Sequence, residues 1–120
     1  MKIIRFENVD AWKKARELTK MVYAMTARQG FAKDFGLRDQ IQRAAVSIMS
    51  NIAEGFDAGS DKAFANFLQY SYRSASEVQS LLYVALDSAY IDEPDFQNCF
   101  SQASETKRMI GGFIKYLKKL

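Results

Sequence analysis

The stretch LRDQIQRAAVSIMSNIAEGF, residues 37–56, decides the fold, because its apolar residues recur at spacings of three and four. This spacing puts them on one face of an α-helix. The residues of that face are Leu37, Ile41, Ala44, Ala45, Ile48, Ile52 and Phe56. The turn-like sequence DAGS follows at residues 57–60. We therefore expect an amphipathic helix from Leu37 to Phe56 that ends at this turn.

A longer apolar stripe begins after the turn, and Ser60 or Asp61 is the expected N-cap of its helix. The stripe consists of Phe64, Phe67, Leu68, Ala75, Val78, Leu82, Ala85, Leu86 and Ala89. Before residue 37, a helix from about Asn8 to Arg28 is predicted. Its apolar face consists of Ala11, Ala15, Leu18, Val22 and Met25. We expect Gly30 to stop that helix, and the segment 31–36 to connect it to the next one.

The last predicted helix starts in the sequence YIDEPDF, with Asp92 as N-cap and Pro94 in the first turn. Its apolar face consists of Phe96, Phe100, Ala103, Ile110, Phe113, Ile114 and Leu117. Gly111 and Gly112 lie inside this helix and weaken it by about 1 kcal/mol each relative to alanine. Close packing against a neighbouring helix is one reason for a helix to contain them.

Four helices with short connections and no strand pattern predict an all-α protein, an antiparallel up-down-up-down four-helix bundle. The 120 residues are 48% apolar, which suits one core, so residues 1–120 are expected to form a single domain. The longest stretches without charge are about ten residues, such as 44–53, and a membrane span needs roughly 20. Early charges in MKIIRFENVD also argue against a secretory signal, so we expect a cytoplasmic protein without a membrane partner.

The sequence contains no histidine and one cysteine, Cys99, so neither an intrachain disulfide nor a Cys/His zinc site is expected. The simplest interpretation of Cys99 is a small buried apolar residue. No glycine-rich phosphate loop and no catalytic Ser/His/Asp set is present. We therefore expect no enzyme activity, no metal and no cofactor.

A second, polar stripe runs along each of the two central helices. In the helix over 37–56 it consists of Gln40, Arg43, Ser47, Asn51 and Glu54, and in the next helix of Asn66, Tyr70, Arg73 and Glu77. Antiparallel pairing brings the stripes together, with a close contact between Arg43 and Glu77 as the specific prediction. The stripes are either a structural polar network or part of an oligomer interface. A site built on Glu54 and Glu77 is disfavoured, because helical di-iron sites use Glu-x-x-His motifs.

Charge is unevenly distributed along the chain. Residues 1–30 contain seven Lys or Arg and three acids, residues 31–105 contain five and eleven, and residues 106–120 contain five and none. Two basic strips stand out: Lys13, Arg16 and Lys20 on the first predicted helix, and Arg108, Lys115 and Lys119 on the last. Such strips can track phosphates, although solvated surface is the alternative. Trp12 and Tyr23 flank the strip on the first helix and could stack on bases or pack in an interface.

Several segments together resemble the four-helix-bundle proteins encoded in intervening sequences of bacterial 23S rRNA genes. They are RAAVSIMSNIAEGF (43–56), FLQYSYRSASEVQSLL (67–82), FENVDAWKKARELT (6–19) and GLRDQIQRA (36–44). The resemblance covers nearly the whole chain. It implies a ring-shaped homopentamer and a distant similarity to the accessory proteins of diversity-generating retroelements, which partner a reverse transcriptase and bind nucleic acid. It implies no catalytic residue.

One departure from the family pattern lies directly after SNIAEGF. A basic residue is usual there, whereas this chain has Asp57, Ala58 and Gly59, which argues against phosphate binding at that turn. Self-association also follows from the residues, because Leu81 and Val84 extend the polar stripe of their helix. We expect an oligomeric, non-enzymatic adaptor that binds structured RNA or DNA. The alternative is a protein–protein interaction scaffold that binds no nucleic acid.

Overall fold

A computed structural model describes residues 3–120, and every regular element in that range is helical, which confirms the all-α prediction. The elements are a 3-10 turn (Phe6–Asn8), α1 (Asp10–Thr26), α2 (Gln29–Lys33), α3 (Phe35–Phe56), α4 (Asp61–Asp87) and α5 (Glu93–Lys118). The first two residues of the predicted 1–120 domain lie outside the described range. Within that range, no helix combines the length and the apolar character needed to cross a membrane.

The core lies between α1, α3, α4 and α5, and each of these helices contributes side chains with no exposed surface. Among the largest of them are Leu18, Ile48, Leu68 and Ile110. Removing one Leu or Ile side chain from water stabilises a fold by about 1.5–3 kcal/mol. All five apolar residues predicted for α1 are buried, as are six of the seven predicted for α3. Helical periodicity therefore predicted the core faces correctly.

Two predicted helix starts are confirmed by hydrogen bonds. The Ser60 hydroxyl accepts a bond of 3.1 Å from the Ala63 backbone N–H, so Ser60 caps α4. The Asp92 carboxylate accepts one of 3.0 Å from the Asp95 N–H and caps α5, with Pro94 in the first turn. Each cap satisfies a backbone donor that the helix itself leaves unpaired.

The predicted connection between the first two long helices is wrong in detail. Gly30 does not stop α1, which ends at Thr26; it lies in the short helix α2. The physical reason is Phe31, which is completely buried and stacks on the ring of Tyr90 with centroids 5.4 Å apart. A Cβ at position 30 would lie 3.2 Å from Tyr90, so glycine fits the close approach of that ring.

Asp34 joins two connections at the same end of the molecule. One carboxylate oxygen accepts a hydrogen bond of 3.1 Å from the Leu37 N–H and caps α3. The other accepts one of 3.0 Å from the Tyr90 hydroxyl, in the connection between α4 and α5. This bond raises the pKa of Tyr90 above its ordinary value, because the phenol is the donor to a carboxylate. The start of α3 and the α4–α5 connection are thereby fastened together.

The end of α4 also differs from the prediction. The predicted apolar stripe includes Ala89, but α4 ends at Asp87 and Ala89 is exposed. Ala89 has a φ of 61°, in the left-handed region that ends many helices. This conformation turns the chain out of α4 toward the α5 cap, so the residue no longer belongs to the core face.

The closest helix packing involves Gly55 rather than the two glycines of α5. A Cβ on Gly55 would lie 2.7 Å from Phe67 Cβ and 2.8 Å from Phe64 Cδ1. A Cβ on Gly111 would meet only Tyr72, at 3.8 Å, and one on Gly112 would meet nothing within 4 Å. Close packing therefore does not explain the glycines of α5, and space remains open above Gly112.

Cys99 has no exposed surface, as expected for a small apolar core residue. Burial raises the pKa of its thiol to about 12, because the charged thiolate would lose its hydration. The thiol therefore stays protonated and unreactive at neutral pH.

Candidate functional site

The polar stripes of α3 and α4 contact each other along the seam between these helices. The hydroxyl oxygens of Ser47 and Ser74 lie 3.0 Å apart, and the Gln40 amide donates a bond of 3.2 Å to the Glu77 carboxylate. The structure thus brings three of the predicted stripe residues into contact across the seam: Gln40, Ser47 and Glu77. We name this surface the α3–α4 face.

The predicted close contact between Arg43 and Glu77 is wrong. Among residues 3–120, no ion pair joins these two side chains, and Glu77 bonds Gln40 instead. The two residues lie at about the same level of the seam, as the contact between Ser47 and Ser74 shows, so axial offset is not the reason. The Arg43 side chain is exposed and instead shares the lining of one groove with Tyr23 of α1.

Glu54 and Glu77 do not form a carboxylate pair. Ser47 lies opposite Ser74, which puts Glu77 level with about residue 44, and Glu54 lies about ten residues further along α3, or about 15 Å along the helix axis. One ion or one substrate atom cannot contact both. Within residues 3–120, no group of three or more His, Cys, Asp or Glu side chains is arranged to hold a metal.

The remaining residues of the polar stripes make local contacts or face solvent. Asn51 donates to the backbone oxygen and hydroxyl of Ser47, at 2.9 and 3.0 Å, within its own helix. Asn66, Tyr70 and Arg73 are exposed on α4, where the Arg73 guanidinium lies 5.9 Å from the Tyr70 ring centroid. The outer edge of the α3–α4 face therefore remains open.

A shallow groove of about 680 Å³ borders this face along the outer side of α3. Tyr23 and Val46 form its apolar part and are 46% and 40% exposed. Arg43, Asn51 and Glu54 line its polar part. With Ser47, which also lines the groove, four of the predicted stripe residues share one open depression with two exposed apolar side chains.

The two basic strips differ in their acidic neighbours. We name Lys13, Arg16 and Lys20 the α1 strip, and Arg108, Lys115 and Lys119 the α5 strip. The α1 strip alternates with acids. The Lys13 ammonium lies 3.9 Å from the Asp10 carboxylate, and the Lys20 ammonium lies 3.6 Å from Glu17. Only Arg16, between them, has no acid of its own within the described ion pairs. Exposed pairs of this kind add little stability, but they reduce the positive field that an anionic ligand would meet.

The two aromatic residues that flank the α1 strip are placed differently. Trp12 is partly buried and packs edge-on against Phe6, with ring centroids 5.3 Å apart. The Arg16 guanidinium lies 5.9 Å from the Trp12 ring centroid. Tyr23, by contrast, is 46% exposed at the groove along α3. Trp12 therefore serves packing, and Tyr23 is the aromatic ring available at the surface.

The α5 strip has fewer acidic neighbours. Arg108 donates a bond of 3.0 Å from Nε to Glu105, and this hydrogen bond lowers the pKa of that carboxyl group. Lys115 and Lys119 are exposed, and neither belongs to an ion pair within residues 3–120. Residues 106–120 contain five bases and no acid, so this segment has an excess of positive charge.

The two strips lie one after the other along the molecule, not side by side. The Gln102 amide donates a bond of 3.2 Å to the Lys14 backbone oxygen, and Arg28 forms an ion pair with Asp95. These contacts set the α1 strip beside the first half of α5. The segment 108–119 continues past it, along the chain that precedes α1.

A second groove, of about 650 Å³, opens between this N-terminal chain and α5, and sequence reasoning missed it. Its lining residues come from both segments: Ile3, Asn8, Asp10, Ala11, Arg108, Met109, Gly112, Phe113 and Tyr116. We name it the N-terminal groove. Its one sequence signal is Gly112, which leaves a position on this wall of α5 without a side chain.

Comparison with known proteins agrees with the resemblance described on the residues. A family model for 23S rRNA-intervening sequence proteins matches residues 7–112. A crystal structure of a protein of unknown function from the S23 ribosomal protein family of Bacteroides thetaiotaomicron is similar, with a TM-score of 0.80 and 24% identity. The match covers 88% of this chain and 95% of that one, and at this identity it shows the fold alone. Among curated proteins, nothing matches. Since the family model spans most of the sequence, the chain belongs to the 23S rRNA-intervening sequence protein family.

Proposed function

We propose that this chain is a non-enzymatic, self-associating protein that binds nucleic acid through the α5 strip. The observation that carries the proposal is the acid-free segment 106–120, in which Lys115 and Lys119 are exposed and form no described ion pair. Uncompensated Lys and Arg along a helix displace counterions from a phosphate backbone, which is the main source of sequence-independent affinity.

The α1 strip has a secondary part in this proposal. Asp10 and Glu17 lie within 4 Å of two of its three bases, so its net field is small. The same observation favours the second candidate function, a protein–protein interaction scaffold without nucleic-acid binding. In that case the basic residues serve solubility and alternate with acids to limit attraction to phosphates.

The proposed architecture is an antiparallel up-down-up-down four-helix bundle of α1, α3, α4 and α5. Contacts across neighbouring helices support it. As residue numbers rise along α3, those of the partner residues on α4 fall, which is the sign of an antiparallel pair: Gln40 bonds Glu77, and Ser47 bonds Ser74. On α4 and α5, Phe64 packs on Phe113, and Tyr83 packs on Phe96.

Self-association is proposed to use the α3–α4 face and the groove beside it. Tyr70 and Val84 are 54% and 46% exposed on α4, and Val46 is 40% exposed on α3. Leu81, which extends the polar stripe of α4, is buried within the single chain and so contributes less surface to a subunit interface than the sequence suggested. Exposed aromatic and aliphatic side chains beside polar ones are typical of subunit interfaces. A homopentamer, which the family resemblance implies, would repeat the α5 strip and raise affinity by avidity.

Light scattering at micromolar concentration should give a particle mass several times that of the 13.7 kDa chain. Val46→Glu with Val84→Glu should lower that mass toward a single chain, because a charge at either position would be desolvated in the interface. Ile4→Glu with Leu120→Glu is the control, since both residues are exposed and lie off this face. A wild-type mass of one chain would contradict self-association, and an unchanged mass of the interface variant would contradict this choice of face.

Fluorescence anisotropy with a labelled RNA hairpin tests nucleic-acid binding. Wild type should bind at low salt and weaken as salt rises, since counterion release drives the contact. Changing Arg108, Lys115 and Lys119 to glutamine should reduce the slope of log affinity against log salt by about three. The matched control changes Lys13, Arg16 and Lys20 to glutamine, which removes the same charge and should have a smaller effect.

Equal losses in the two triple variants would show that net charge alone matters and would contradict a role specific to α5. Absence of binding by wild type at low salt would contradict nucleic-acid binding altogether. The interaction scaffold would then be the better explanation of the surface.

A further inference from the structure

We infer that the N-terminal groove holds one unpaired nucleobase, so that the protein prefers RNA with a bulged nucleotide over an uninterrupted duplex. The inference rests on the proposed function, because the α5 strip supplies the contacts to phosphate. It adds a site that reads an exposed base beside that strip.

The shape of the groove suits a flat ring. A Cβ on Gly112 would meet nothing within 4 Å, so the helix backbone is open to a ligand there. Tyr116, on the same wall, is 55% exposed, and Phe113 and Met109 are partly buried beside it. An exposed aromatic ring next to a bare helix surface offers a stacking partner and leaves room for the base. The groove volume, about 650 Å³, lies in the range of small-ligand sites.

The rim of the groove carries groups that can bond the edge of a base. Asn8 offers an amide with both donor and acceptor, and Asp10 offers a carboxylate that accepts from an exocyclic amino group. Arg108 lies on the opposite segment, where its guanidinium is held by Glu105. Together these groups present donors and acceptors around an otherwise apolar floor.

Charge around the groove selects a nucleotide over an apolar peptide side chain. Lys115 follows Gly112 by three residues, about 4.5 Å along the helix axis, and Lys119 lies one turn further. These ammonium groups are placed for the phosphates on one side of a base in the groove. An apolar side chain from a partner protein would gain nothing from them.

The test compares two labelled RNAs that differ by a single bulged adenosine in an otherwise identical duplex. Wild type should bind the bulged RNA at least tenfold more tightly. Gly112→Leu fills the groove without changing any charge and improves helix propensity, so folding is not endangered. It should abolish the preference while leaving duplex binding intact. Tyr116→Ala should reduce binding of the bulged RNA by about 5- to 150-fold, the usual effect of losing one base stack.

Gly111→Ala is the control for a change in the same helix, because its Cβ faces Tyr72 at 3.8 Å and not the groove. It should retain the preference. Equal wild-type affinity for the two RNAs, or an unchanged preference in Gly112→Leu, would overturn the inference and leave nucleic-acid binding by the α5 strip standing. Binding of neither RNA would contradict both proposals.

Discussion

Replacing Gly55 with alanine should lower the free energy of unfolding by about 1–3 kcal/mol, the usual cost of overpacking a core. The added methyl group would lie 2.7 Å from Phe67 Cβ and 2.8 Å from the Phe64 ring. A Cβ cannot rotate away as the end of a long side chain can, so α3 and α4 must move apart. Urea unfolding followed by circular dichroism measures the change as a lower midpoint with an unchanged slope.

Gly112→Ala is the matched control for Gly55→Ala. The same methyl group there meets nothing within 4 Å, and alanine is a better helix former than glycine. This variant should therefore be more stable than wild type, by about 0.5–1 kcal/mol. Similar changes in both variants would show that helix propensity alone governs these positions and that the α3–α4 approach at Gly55 is not tight.

Phe31→Ala should lower the free energy of unfolding by about 3–5 kcal/mol, because it leaves a cavity of the size of a benzene ring. Phe31 has no exposed surface and stacks on Tyr90 at 5.4 Å. Since small domains are stable by only about 5–15 kcal/mol, this loss is a large part of the total. Thermal or urea unfolding of the variant measures it.

Phe35→Ala is the control, because Phe35 is 64% exposed four residues later. Its ring has one notable contact, the Arg38 guanidinium at 4.8 Å, so the loss should stay below about 1 kcal/mol. If Phe31→Ala cost no more than Phe35→Ala, the packing of Phe31 on Tyr90 would contribute nothing to stability.

The contrast between α2 and the long helices shows which elements hydrophobic periodicity can predict. The four long helices were predictable because each repeats its apolar face over several turns. The caps of α4 and α5 were predictable because Ser60 and Asp92 precede those repeats, whereas Asp34, the cap of α3, was missed. The helix α2 spans five residues, little more than one turn, and one buried phenylalanine makes no pattern. Its burial depends on Tyr90, which is distant in sequence.

The α3–α4 face was predictable as a face but not in its individual contacts. Spacings of three and four fix the direction in which a side chain points, and residues one turn apart share that direction. The Glu77 carboxylate therefore bonds Gln40, although Arg43 lies nearer to its level along the seam. The N-terminal groove was not predictable, because it is closed by Ile3 and Asn8, which precede α1, where no helical repeat exists.

Asp34 makes two connections at one end of the molecule depend on a single side chain. Its carboxylate accepts hydrogen bonds from the first turn of α3 and from the phenol of Tyr90 through different oxygens. Either bond can open while the other stays in place, but loss of the carboxylate removes both. A substitution at Asp34 therefore weakens the cap of α3 and the anchoring of the α4–α5 connection at the same time.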